Sequence, residues 1–187
     1  MRSLVLLSLL LPALALGEEK AAPPAADPMA GWAPTKVAKE GQDRKEIAAL
    51  IQAMDEAGRK GDLAAAAALV DFPVLMVTDD SKGQASATAW SKEQWTQVME
   101  PFYRKPMEGK VSHKPSIFLA SDSLATVNDV VTMSMGKRSM TSRNTSILVR
   151  KGGKWLVKAM MEGGWGDMMA ASPQGAPPQG AASAAGK

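Results

Sequence analysis

The chain contains no cysteine. That excludes disulfides, thiolate metal sites, thiol nucleophiles and a lipidated cysteine anchor. A single histidine, His113, leaves little scope for a metal site built from imidazoles, so no metal and no cofactor is expected. There is one tyrosine, aromatics make up only 5% of residues, and the formal net charge is +3. Arginine–aromatic interleaving is missing, so a nucleic-acid partner is not expected. Also absent are a phosphate-cradling glycine loop, a G-x-S-x-G elbow and an H-E-x-x-H pair. No run of about 20 apolar residues exists, so no membrane span is expected. What is there is ordinary for a globular protein: 187 residues, 45% hydrophobic and 22% charged.

The ends differ from the middle. Residues 1–17, MRSLVLLSLLLPALALG, combine Arg2, an apolar run from Leu4 to Leu11, and small residues Ala15 and Gly17 at the spacing for cleavage before Glu18. This pattern predicts a secretory signal peptide and hence an exported protein, periplasmic or secreted. Residues 18–41 are Ala/Pro-rich and without apolar periodicity, which reads as a flexible leader whose one large apolar residue is Trp32. Residues 167–187 read as a low-complexity, disordered tail. The folded domain is then 42–166, long enough for one real core.

Within it, Asp43 and Glu46 read as a capping box. Ile47, Leu50, Ile51 and Met54 follow at i, i+3, i+4 and i+7, the stripe of an amphipathic helix that Gly61 ends. Asp62 caps a short alanine helix, and DFPVLMVTD (71–79) and ASATAW (85–90) read as strands. Ser91 and Gln94 form a second capping box, with Trp95, Val98, Met99 and Phe102 on one helix face and Pro101 predicting a kink or an early end. From Val111 the apolar period drops to two, predicting strands 111–120, 124–135, 138–150 and 154–162, with SDS, GK and GG as turns. Three helices followed by a run of strands predict an α+β fold, a curved antiparallel sheet wrapped around the helices.

The order of elements, the FPV segment after the short helix, the SLATV strand and the terminal GGKWLVK strand resemble the nuclear transport factor 2-like superfamily, over about 43–165. That group includes ketosteroid isomerase and the SnoaL-like polyketide cyclases. The resemblance implies a cone-shaped α+β barrel with an internal pocket, and pairing of two copies through the sheet.

Turn counting gives the strand faces independently. Gly152–Gly153 as a two-residue turn sets Leu148 opposite Val157 and Arg150 opposite Trp155. Gly136–Lys137, treated likewise, sets Asp129 opposite Asn144. The inward, more apolar face then carries Val127, Asp129, Val131, Asn144, Ser146, Leu148, Trp155, Val157, Ala159 and Met161, unless a bulge inverts part of it. Asp129 is the anomaly on that face, because a buried carboxylate must be paired, hydrogen-bonded or protonated. Asn144 is placed to donate to it. A three-residue turn at 121–123 brings His113 onto the same face near Val131, giving a candidate proton-transfer pair. Tyr103 is the third candidate catalytic residue. An isomerase of the ketosteroid type also needs a second, protonated acid, and none is visible. The plain alternatives are a satisfied Asp–Asn contact near the cone's mouth and a surface histidine. Candidate pocket-lining residues are Trp90, Trp95, Phe102, Val127, Asn144, Ser146, Trp155 and Val157.

Charge is uneven: residues 43–100 hold 6 basic and 10 acidic side chains, residues 104–158 hold 11 and 3. The basic set includes Lys137, Arg138, Arg143, Arg150, Lys151, Lys154 and Lys158, which either attracts an anionic ligand or simply solvates a sheet face. Met133, Met135, Met140, Met160 and Met161 read as core filling, with an adaptable pocket or a metal site as alternatives. Asn144-Thr145-Ser146 matches a glycosylation sequon but reads as mid-strand. The leading expectation is an exported, non-enzymatic domain that binds a small apolar or amphipathic ligand or serves assembly, as a homodimer through the sheet. The alternatives are an isomerase, cyclase or hydratase using Asp129 as acid/base, and an envelope-associated accessory protein tethered by its ends.

Overall fold

The computed structural model describes residue 33 and residues 36–171. The expected signal peptide, Trp32 and most of the leader and the tail lie outside the described residues. The chain runs α1 (Glu40–Lys60), α2 (Leu63–Ala67), β1 (Val70–Asp79), β2 (Ala85–Trp90), α3 (Lys92–Tyr103), β3 (Lys110–His113), β4 (Ser116–Ser121), β5 (Leu124–Met135), β6 (Arg138–Lys151), β7 (Lys154–Glu162) and α4 (Gly166–Ala171). The seven strands form one curved sheet in the order β2-β1-β7-β6-β5-β3, with β4 also on β5. All pairs are antiparallel except β1 with β7, which is parallel. The expected α+β cone is therefore present, with one parallel joint in its sheet.

The stripe of α1 buries Ile47 and Leu50 against Leu148, Val127 and Val157 of the sheet, and the small side chains Ala57, Ala66 and Ala67 belong to the same core. Gly61, at φ +67°, ends α1 in the left-handed region; a Cβ there would lie 2.8 Å from the Tyr103 carbonyl oxygen. Asp62 caps α2 through Ala65 N–H, and Ser91 and Gln94 form the expected capping box of α3.

Four sequence expectations need correction. First, α1 begins at Glu40 with no side-chain cap, and Asp43 lies inside it, 2% exposed and ion-paired with Arg150. Second, Pro101 does not end α3, which continues to Tyr103, because a proline costs least where few further hydrogen bonds depend on it. Third, the strand read as 111–120 is two strands, β3 and β4, broken at Lys114–Pro115, where proline removes a ladder donor. Fourth, residues after 166 do not all belong to an unstructured tail. Gly166–Ala171 is helical, Met169 is buried, and the Asp167 carboxylate accepts from Ser81 N–H.

Both glycine turns give the expected register: Leu148 faces Val157, Arg150 faces Trp155 and Asp129 faces Asn144. A bulge then shifts β7 between Ile147 and Leu148, so Ala159 faces Ile147 and Met160 faces Ser146. Met160 thus turns inward and Met161 is 51% exposed, the reverse of the simple alternation.

Candidate functional site

Asp129 is 6% exposed. Its Oδ1 accepts from the Lys114 N–H at 2.9 Å, and its Oδ2 accepts from His113 Nδ1 at 2.6 Å. The break at Pro115 positions both donors, since it ends β3 at His113 and turns the Lys114 amide toward β5. His113 pairs with Val131, two residues along β5 from Asp129, which sets it diagonal to the carboxylate as the turn count expected. Asn144 sits opposite Asp129 but makes no hydrogen bond to it, contrary to expectation; His113 and Lys114 occupy both oxygens and Asn144 faces the cavity instead.

The other side of the imidazole meets a residue that the sequence reading overlooked. Asp55 of α1 places Oδ2 2.9 Å from His113 Nε2, close enough for an ion pair, yet Nε2 has no aligned hydrogen-bond partner among the described residues. Burial alone pulls the His113 pKa down. The hydrogen bond to Asp129 and the field and proximity of Asp55 outweigh it and hold the pKa above the ordinary 6.5. The signal for Asp55 was present: it lies at i+4 from Ile51, on the buried stripe of α1, where a carboxylate is as anomalous as Asp129 is on its strand.

These three side chains form the polar end of a cavity of about 110 Å³, whose apolar walls include Leu50, Ile51, Met54, Leu148 and Met160. Four of the expected pocket residues, Val127, Asn144, Ser146 and Val157, line it. A second compartment of about 110 Å³ is walled by Met76, Trp90, Trp95, Met99, Tyr103, Trp165 and Met169, and Met54 and Met160 line both. Trp90 and Trp95 are therefore pocket residues, but of the second compartment. Tyr103 lines that compartment and not the one that holds Asp129 and His113. Burial, with a smaller contribution from Asp55, raises the Tyr103 pKa above 10.0.

Two expected pocket residues line neither compartment. Phe102 is 42% exposed and packs on Trp165, with ring centroids 5.4 Å apart, because the α3 stripe turns away from the core by its last turn. Trp155 is buried, but under the Arg150 guanidinium, 4.7 Å from its ring centroid, at the hairpin end of β6 and β7. Arg150 is held there by Asp43 and by Glu46 at 2.9 Å. Lys151 and Lys158 both pair with Asp71, whose pKa is lowered chiefly by the Lys151 hydrogen bond. Part of the basic strand set is thus neutralised by carboxylates of α1 and β1. Met135 and Met140 are exposed on the far end of the β5–β6 hairpin rather than filling a core.

The outer face of the sheet carries an apolar row. Phe118, Thr126, Ile147, Ala159 and Leu75 are successive cross-strand neighbours over β4, β5, β6, β7 and β1. Phe118, Ile147 and Leu75 are 63%, 44% and 39% exposed. Among the described residues no helix is long and apolar enough to cross a membrane.

This architecture is the nuclear transport factor 2-like fold. A protein of unknown function with that fold from Shewanella oneidensis MR-1 matches with a TM-score of 0.54 at 15% identity, covering 65% of this chain and 98% of its own. A second, from Pseudomonas putida KT2440, gives 0.53 at 19% identity over 66% of this chain and 87% of its own. The association domain of C. elegans CaMKII gives 0.53 at 14%, over 66% and 96%. No protein-family model and no curated protein matches the sequence.

Proposed function

We propose that this chain is an exported domain that binds a small amphipathic ligand inside the cone, in the manner of SnoaL-like proteins. The observation that carries the reading is the cavity itself. Its walls are aliphatic and thioether side chains, and its one polar end gathers Asp55, His113, Asp129, Asn144 and Ser146. An apolar enclosure with a few converging polar groups is the physical form of a small-molecule site. Export rests on the n-region, apolar run and small residues of 1–17. Native mass spectrometry of protein purified from its own host tests the reading. A co-purified small molecule that is lost when Val127→Trp fills the cavity supports it. Protein that emerges empty and binds nothing from a broad small-molecule library overturns it.

A specific geometry favours a second, catalytic reading. His113 lies between Asp129 at Nδ1 and Asp55 at Nε2, and the three together at the edge of the cavity form an acid–base set for isomerisation, cyclisation or hydration. In that reading Asp129→Asn removes the orienting acceptor and lowers turnover about 10²–10⁴-fold. Tyr103 takes no part, being in the other compartment. Two copies pairing through the outer sheet face is supported by the exposed row Phe118, Ile147 and Leu75. Light scattering is expected to report a dimer that Ile147→Glu converts to monomer; a wild-type monomer at all concentrations rules the pairing out.

A further inference from the structure

We infer that the two compartments hold one ligand, a protonated amine on an unbranched apolar chain, its head at Asp55 and its chain passing between Met54 and Met160 into the tryptophan-walled compartment. This rests on the ligand-binding reading and names the ligand's chemistry.

The head follows from charge and hydrogen-bond bookkeeping. The ionisable groups lining the first compartment are two carboxylates and one imidazole, with no lysine or arginine among them. Asp129 has both oxygens engaged. Asp55 has its Oδ2 2.9 Å from His113 Nε2, and its Oδ1 has no partner among the described residues. An ammonium supplies three donors and a positive charge to that carboxylate. A ligand carboxylate would meet two like charges there.

The chain follows from the walls. The second compartment is lined by Trp90, Trp95, Trp165 and methionines, with Tyr103 its one ionisable side chain. Each compartment is about 110 Å³, and even the two together stay below the roughly 300 Å³ at which ordinary ligand sites begin, so the occupant is a slender chain that uses both. The shared partition is two methionine side chains, whose unbranched stems re-pack at low cost.

Calorimetric titration of the full chain with butylamine, octylamine, octanol and octanoate at pH 7 tests this. Octylamine is expected to bind about tenfold tighter than octanol, as a charge-assisted hydrogen bond implies, and octanoate weakest. Each methylene that enters the second compartment is expected to tighten binding about fourfold. Asp55→Asn is expected to abolish the amine preference, bringing octylamine to the affinity of octanol. Met76→Phe, which fills the far compartment from β1, is expected to weaken octylamine and spare butylamine, with circular dichroism confirming the fold of each variant. Equal binding of octanol and octylamine overturns the cationic head while the ligand-binding reading stands. Equal binding of butylamine and octylamine overturns the shared site. An amine preference that survives Asp55→Asn but falls with Trp95→Leu puts the head on the aromatic walls and overturns the assignment. Binding of none of the four overturns both.

Discussion

Replacing Arg150 by methionine removes the cation that answers a nearly closed carboxylate. Asp43 is 2% exposed on α1, its Oδ2 has no hydrogen-bond partner, and its charge is met by Arg150 from β6, which also reaches Glu46. Glu46 is 35% exposed and regains water when the arginine goes; Asp43 does not. Removing one partner of such a buried pair costs about 3–5 kcal/mol, because the remaining charge is stranded in a medium that solvates it poorly. Methionine keeps an apolar cover over Trp155, so the added loss is the cation–π contact, about 0.5–1 kcal/mol. Domains of this size have about 5–15 kcal/mol in all, and a urea slope of about 2 kcal/mol/M converts the loss to a midpoint shift of roughly 2 M. Tryptophan fluorescence reports it directly, since Trp155 lies under the guanidinium. The double variant Arg150→Met, Asp43→Leu removes both charges and is expected to recover at least half the loss. A single-variant loss below about 1 kcal/mol refutes the reasoning, as does a double variant no more stable than the single.

His113 is expected to titrate above 6.5 by NMR, because its carboxylate neighbours outweigh its burial. A folded pKa above the unfolded one stabilises the protein fully below about pH 6.5, and that contribution is lost as pH rises through the folded value. Asp129→Asn is expected to lower the titration midpoint; an unchanged midpoint contradicts the assignment. Gly109→Ala is expected to cost about 1–3 kcal/mol by denaturant unfolding, because the glycine has φ +117° and a Cβ there would run into the Ser134 carbonyl oxygen next to the start of β3. Ser91→Ala is expected to cost about 1 kcal/mol of stability by removing the cap of α3.

The inward face of β5 and β6 was legible in the sequence because two glycine turns set the pairing, and a period of two carries that pairing along the strands without drift. Asp129, Asn144, Ser146 and Leu148 all fell where turn counting placed them. The same reasoning failed on β7 past Val157, since a bulge leaves no composition signal in Lys158-Ala159-Met160 and inverts everything after it. Phe102 failed for a helical reason. Near the end of α3 a small rotation decides between core and surface, and Phe102 found Trp165 beyond the expected domain boundary. The break between β3 and β4 was legible in principle, from Pro115, but the apolar alternation on both sides of it hid the stop.

What neither periodicity nor turn counting supplied was the meaning of charge on a buried stripe. The apolar face of α1 runs through Ile47, Leu50, Ile51 and Met54 and is bounded by Asp43 one turn before Ile47 and Asp55 one turn after Ile51. Both carboxylates face the sheet, and the sheet answers each with a nitrogen base: Arg150 at one end, His113 at the other. The chemistry of the two answers differs. A guanidinium stays charged at every physiological pH, so the Asp43 end is a permanent clasp with Trp155 sealed beneath it. An imidazole changes charge near neutrality, and the Asp55 end opens on a cavity instead of a sealed ring. One helix therefore fixes the cone with its first aspartate and presents a titratable group to the cavity with its last. On this logic His113→Arg is expected to change the second end into a copy of the first: more stable above the His113 midpoint, where the histidine has lost its charge, and deaf to amine probes, because Asp55 is then permanently paired. Denaturant unfolding on either side of that midpoint, alongside octylamine titration, separates the two effects. A variant that keeps its amine affinity shows that Asp55 is not where the head binds.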